Sequence, residues 1–198
     1  GEAALVQGDV IERGVPARVV AETIKRFGRI DVLINNAGGM LGRKMLSEIT
    51  DEHYDRVLDL NIRSVIKFMQ AAADVMKAQG SGNIINVSSI AARNGGGGGA
   101  VLYASTKAFV SAFTKGMAKE LIGSHIRVNA VSPGTIATPF HERYSNAQQI
   151  EAMRQTIPMG RLGVAEECAG TFLYLASDSL SGYVTGQIIE VNGGQLMP

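Results

Sequence analysis

Tyr103 and Lys107 stand four residues apart in Tyr103-Ala104-Ser105-Thr106-Lys107, so on a helix their side chains share one face. A free phenol titrates near ~10 and is a weak acid–base catalyst at neutral pH. A neighbouring ammonium favours the phenolate and draws that value toward the working range. The pair therefore reads as a proton donor with its electrostatic tuner. By spacing alone, an ordinary amphipathic helix with a partly buried tyrosine is the competing reading. Two further groups stand out. Ser88 and Ser89 close an apolar run, as a strand terminus or as hydroxyls offered to a ligand. Asn61 falls within the apolar stripe traced by Tyr54, Val57, Leu58, Val65, Phe68, Met69, Ala72 and Met76. A buried amide needs partners, so Asn61 is either a satisfied core asparagine or a functional one.

The elements that must position these groups alternate along the chain. Pro16 suits a first helical turn, and Val20, Ile24 and Phe27 form a stripe that stops at Gly28. Ile30–Ile34 reads as a strand ending in Asn35-Asn36-Ala37-Gly38. Thr50 is placed to cap a helix running to about Gln79, closed by Gly80. Strands follow at Asn83–Ser88, Ile126–Val131 and Gln187–Val191, with helices at Leu102–Leu121, Ala147–Thr156 and Ala165–Ala176. Apolar strands separated by helices predict βαβ units, hence one α/β domain over residues 1–198 with a parallel sheet covered on both faces. In such sheets ligands bind beyond the carboxyl ends of the strands. That rule singles out Asp9, Asn35–Gly38, Ser88–Ser89 and Pro133–Thr138. Leu5–Val10 also reads as the end of a strand, so the polypeptide is expected to be longer at its N-terminus.

Composition narrows the functional classes. With Lys+Arg 19 against Asp+Glu 18, the net charge is +1, which removes the electrostatic argument for nucleic-acid or anionic-membrane partners. The single cysteine, Cys168, rules out an internal disulfide framework and a multi-cysteine metal site. It reads as a small buried hydrophobe. His53, His125 and His141 have no ligand spacing, so no metal site is expected. A cytoplasmic location is expected, since no apolar run is long enough to cross a bilayer. The one excess is 24 glycines, about 12% against an ordinary ~7%.

Taken together, Asn35-Asn36-Ala37-Gly38, Asn61, Ser89, Tyr103-x-x-x-Lys107 and Pro133-Gly134 resemble the short-chain dehydrogenase/reductase family in type and order. The resemblance extends from Gly8-Asp9-Val10 to Asn192-Gly193-Gly194. It implies a Rossmann-like, doubly wound parallel sheet, lacking here its first one or two βα units. It also implies NAD or NADP as cofactor and interconversion of a ketone and a secondary alcohol. By position, Tyr103 would be the general acid in reduction and Ser89 would bond the carbonyl oxygen. Lys107 would hold the nicotinamide ribose and tune the phenol, and Asn61 would position a water linking Lys107 to solvent. Asp9 and Val10 would contact adenine, Asn36, Ala37 and Gly38 the adenosine ribose region, and Ile136 and Thr138 the nicotinamide amide. The family also implies a small carbonyl or alcohol substrate and a homo-oligomer, a dimer or tetramer. The long helix around Asn61–Met76 and the strand Gln187–Val191 are its expected interfaces.

The family's glycine-rich pyrophosphate turn, and the residue selecting NAD or NADP, would precede Gly1. About fifty further residues are therefore expected, together with a mobile or displaced substrate lid over Pro139–Pro158. Met153, Ile157 and Met159 read either as part of that lid or as routine packing. Ser89 to Tyr103 is one residue longer than the commonest family spacing, with the excess in Gly95–Gly99. Gly95-x-Gly97-x-x-Ala100, with Glu120 further on, formally matches a dinucleotide fingerprint but does not follow its strand directly. A mobile loop beside the substrate pocket is the better expectation. Three specific activities remain: a sugar, polyol or small-alcohol dehydrogenase, a 3-oxoacyl-carrier-protein reductase, or a non-catalytic cofactor-binding member of the fold. Ala78–Gly82 carries no basic residue and Gly123–His125 only His125, which disfavours docking of an acidic carrier.

Overall fold

A computed structural model describes residues 1–197. In chain order the elements are α1 (Val15–Phe27), β1 (Val32–Asn35), α2 (Asp51–Leu58), α3 (Ser64–Gln79), β2 (Gly82–Val87), α4 (Ala91–Asn94) and α5 (Val101–Leu121). There follow β3 (Ile126–Pro133), β4 (Ile136–Ala137), α6 (Pro139–Tyr144), α7 (Ala147–Gln155), β5 (Gly163–Val164), α8 (Ala165–Ala176), α9 (Asp178–Ser181) and β6 (Ile188–Val191).

The main sheet has the order β1-β2-β3-β6, with every pair parallel. β2 and β3 are the central strands, and their apolar runs are buried on both faces, as helix-covered parallel strands require. Neighbouring residues serve opposite faces. Ile84 and Val128 join α3 and α5 through Met76, Val110 and Leu121, whereas Ile85 and Val131 pack against Leu175 of α8. Helices therefore cover both sides, and the carboxyl ends of β1, β2 and β3 open at one rim. Residue ranges agree with the sequence-based ones to within two residues for most elements. Pro133, which has no N–H to give, closes β3.

Two expectations fail here. Leu5–Val10 forms no strand: residues 1–9 run without regular structure, and Leu5 is exposed. A strand exists only through a paired edge. This segment instead lies against α1, where the Arg18 Nη2 donates to the Gln7 carbonyl at 2.9 Å. The helix expected from Thr50 to Gln79 is interrupted. Thr50 does cap it, accepting from the His53 N–H at 3.2 Å. Asp59–Arg63, however, forms a single π-helical turn between α2 and α3, and Asn61 lies inside it. Such turns are rare and are frequently found at functional sites.

Candidate active site

At the rim lies a cleft of about 730 Å³, with α5 on one side and α6 above. Its lining brings together Asn36 and Gly38 after β1, Ser89 after β2, Ile136 and Thr138 after β3, and Tyr103 and Lys107 from α5. Segments far apart in sequence converge because parallel strands end on one side. No group of three or more His, Cys, Asp or Glu side chains suited to a metal ion occurs among the described residues.

The two serines separate. Ser88 is buried, donating to the Lys107 carbonyl at 3.1 Å and sharing a 2.7 Å bond with Ser111, so it fastens β2 to α5. Ser89 faces the cleft, where its hydroxyl accepts from the Ala91 N–H at 3.1 Å. Lys107 is buried, its Nζ donating to the Val87 carbonyl at 2.8 Å and standing 5.7 Å from the Tyr103 ring centre.

Asn61 is fully buried and fully satisfied. Its Nδ2 donates to the carbonyls of Gly39 and Val57, each at 2.8 Å, and its Oδ1 accepts from the Gly39 N–H at 3.0 Å. The side chain thus clamps the backbone after β1. Gly38 is the point of closest approach: a Cβ there would lie 2.9 Å from Asn61 Oδ1 and 3.1 Å from Lys107 Nζ. Only a hydrogen fits between these groups.

The expected tuning of the phenol takes another form. Burial pushes Tyr103 up to about 12, the Ser89 hydroxyl works against that rise, and Tyr144 adds to it. Burial also pushes Lys107 down to about 8. Burial of the phenol itself outweighs the Ser89 bond, so Tyr103 is protonated at neutral pH. That is the state required of an acid.

Four sequence candidates lie outside the cleft lining, and Asn61, expected to position a water, is one of them, its amide being committed to Gly39 and Val57. Ala37 is exposed and outside the lining, since neighbours in an extended segment point to opposite sides. Asp9 and Val10 are also outside it: Asp9 organises the turn before α1, its carboxylate accepting from the Ile11 N–H at 3.2 Å. Cys168 lines the cleft, and burial followed by the charge of Glu167 pushes its thiol up, which suits an inert packing residue.

Sequence reasoning expected a lid over Pro139–Pro158 but named neither of the aromatic residues that form the roof. Phe140 lies 5.5 Å from the Tyr103 ring centre, and Tyr144 lies 4.9 Å from Phe140. The segment expected to be mobile or displaced lies docked over the tyrosine. Arg43 was missed as well. Its Nε donates to the Tyr144 carbonyl at 2.7 Å and its Nη1 to the Gly98 carbonyl at 2.8 Å. The glycine loop is accordingly pinned rather than free, with Lys44 N–H on the Gly99 carbonyl at 3.0 Å. The i,i+4 aromatic pair in α6 was legible as a signal, whereas a lone arginine in a loop carries none.

The family model described as enoyl-(acyl carrier protein) reductase matches residues 1–195. A 3-oxoacyl-(acyl-carrier-protein) reductase of Thermotoga maritima is 42% identical over 94% of this chain and 74% of its own length. One from Synechocystis sp. is 41% identical over 100% of this chain and 77% of its own. Among solved structures, the NADH-dependent reductase A1-R′, described as responsible for alginate metabolism, superposes with a TM-score of 0.89. It is 40% identical, covering 98% of this chain and 76% of that one.

Proposed function

The chain belongs to the short-chain dehydrogenase/reductase family, and from that premise we propose that it interconverts a ketone and a secondary alcohol with NAD or NADP. The observation that carries the proposal is the meeting of Ser89, Tyr103 and Lys107 on one cleft beyond the carboxyl ends of parallel strands. In reduction, the Tyr103 phenol gives its proton to the carbonyl oxygen as negative charge develops there. Ser89 offers that oxygen a hydrogen bond, the role of an oxyanion donor. Lys107 supplies positive charge behind the phenol, and Asn61 acts as a positioning residue, holding the Gly38–Gly39 backbone against the lysine.

The cleft suits the cofactor chemically. Gly38 lets backbone and Lys107 approach a ligand together, where a Cβ would intrude. A lysine ammonium suits ribose hydroxyls, and the Ile136–Thr138 segment offers backbone and a hydroxyl to a carboxamide. Asn36, Gly38, Tyr103, Lys107, Ile136 and Thr138 would therefore hold it, with Ala37, Asp9 and Val10 outside the lining. Bound there, the cofactor supplies the hydride; the protein orients and polarises.

The test uses the full-length polypeptide with NADH or NADPH and a panel of ketones, followed by loss of nicotinamide absorbance. Turnover with at least one ketone is expected. Tight cofactor binding without turnover of any would favour the non-catalytic alternative. A second reading, reduction of a 3-oxoacyl group on a carrier protein, is favoured by what the two bacterial relatives are called.

We further infer a homo-oligomer, a dimer or tetramer. β6 is a half-exposed edge strand, and Tyr174, Leu173 and Tyr183 present apolar area nearby. Light scattering at micromolar concentration is expected to give two or four times the monomer mass; a monomer alone would refute this. No helix among the described residues is long and apolar enough to cross a membrane.

A further inference from the structure

The cleft is electrostatically one-sided. Lys107, Arg43 and Arg143 line it with His141, and no aspartate or glutamate does among the described residues. The proposed chemistry uses only Lys107. Arginines elsewhere either find acids, as Arg29 does in Asp31, Arg154 in Glu151 and Arg161 in Glu167, or are exposed, as Arg13, Arg18, Arg56, Arg93 and Arg143 are. Arg43, although partly buried, forms no ion pair among the described residues. A half-buried cation without a counter-charge is costly to keep, which makes its setting informative.

That setting is rigid. Nε is committed to the Tyr144 carbonyl and Nη1 to the Gly98 carbonyl, while Nη2 donates to no protein acceptor among the described residues. The guanidinium is thus fixed between the lid helix α6 and the glycine loop, on the cleft that holds Tyr103, with donors left over. A planar guanidinium held in this way has already lost its rotamer freedom and loses little more on meeting an anion. Its field is felt locally, since burial and the Arg43 charge both push His141 below its ordinary value. Arg143, on the exposed side of α6, adds a second positive charge, whereas its neighbour Glu142 lies outside the lining.

We propose that the cleft takes ketones that also carry a carboxylate, with Arg43 as the specificity-determining residue that pairs with it. The identity of the reacting group as a ketone rests on the oxidoreductase reading; the anion does not.

The test is a set of matched probes on the full-length polypeptide: pyruvate, acetoacetate and levulinate, each against its methyl ester. The N-acetylcysteamine thioester of acetoacetate serves as a neutral carrier mimic. The three acids span different distances between carbonyl and carboxylate. For the acid that fits best, kcat/KM is expected to exceed that of its ester by at least about tenfold, as one charge-assisted hydrogen bond provides. In Arg43→Gln that ratio is expected to fall to within about threefold of unity. Arg43→Lys, which keeps the charge without the fork, should retain part of the preference, and carries the test if Arg43→Gln fails to fold. An arginine that served only to clamp the loop to the lid would lower acid and ester together and leave the ratio intact, overturning the proposal. Equal turnover of acids and esters by the parent, or preference for the thioester over acetoacetate, would also overturn it while leaving the oxidoreductase reading in place. Calorimetric binding of levulinate and methyl levulinate separates the converse case. Carboxylate-selective binding that disappears in Arg43→Gln sustains the anion site even if no ketone is turned over, and only the oxidoreductase reading would then fail.

Discussion

Tyr103→Phe in the full-length protein is expected to lower kcat at least roughly a hundredfold, the low end of what a positioned general acid contributes. The substitution removes one hydroxyl and little else. The ring remains to pack against Phe140 at 5.5 Å, and the bond from Thr106 is to the Tyr103 backbone carbonyl, so α5 keeps its local support. Cofactor affinity should change little, because Lys107 and the Gly38 backbone are untouched. The informative measurement is kcat beside cofactor affinity, with circular dichroism to establish that the variant is folded. Normal turnover by a folded Phe variant would remove Tyr103 from the mechanism. A phenol held at about 12 also stays protonated across the neutral range. Reduction is thus supplied with its proton at any ordinary assay pH.

Lys107→Met is expected to move activity and stability in opposite directions. Turnover should fall by a hundredfold or more, on the order of a lost electrostatic group in a water-poor site. Stability at pH 7 should rise. The folded-state value of Lys107 is lowered from 10.5 to about 8 by burial alone. Between those values the unfolded chain binds more protons than the folded one, so stability increases with pH through that window. Below about pH 8 the native state must keep a buried ammonium, at a cost on the order of 3 kcal/mol from roughly 1.4 kcal/mol per tenfold. Methionine removes that cost but leaves the Val87 carbonyl without its donor, a loss of about 1 kcal/mol or somewhat more. A net gain of about 1–2 kcal/mol at pH 7 follows from these two contributions. It should shrink as pH rises from about 8 toward 10.5 and reverse above 10.5, where the parent lysine is neutral in both states and only the lost bond to Val87 remains. Chemical denaturation of both proteins at pH 7 and above 10.5 checks this. A variant less stable at pH 7 would mean that Lys107 is solvated well enough to carry its charge without penalty. Stability sacrificed at a functional group is the usual pattern for active sites.

The amino-acid sequence by itself determined the architecture and marked most of the groups that meet at the cleft. β2 and β3 were legible because strands buried on both faces must be continuous apolar runs, and α5 because one face of a helix repeats with its turn. Tyr103 and Lys107 could be paired because a spacing of four on a helix is a local geometric fact. Thr50 and Gly28 announced helix ends by local chemistry in the same way, and Gly28 adopts φ 76°.

What only the tertiary structure decided depends on contacts between distant segments. The family resemblance already pointed to Ser89, but what occupies the Ser88 hydroxyl, Ser111 and the Lys107 backbone, was not readable from the sequence. The π turn at Asn61 was invisible because Val57, Leu58, Asn61 and Val65 keep ordinary helical spacing across it. What that asparagine holds, the Gly39 backbone, is more than twenty residues away. The direction of the Tyr103 titration was not readable either. Spacing places a lysine nearby, but desolvation depends on what covers the phenol, and Phe140 against it belongs to a helix expected to be mobile or displaced. Arg43 is the extreme case. It sits in a loop with no periodicity, and its meaning comes from two backbone carbonyls, Gly98 and Tyr144, delivered from different parts of the chain. Local patterns specify elements and short-range pairs; charge balance, burial and clamping belong to the assembled cleft, because each requires groups whose separation in sequence says nothing about their separation in space.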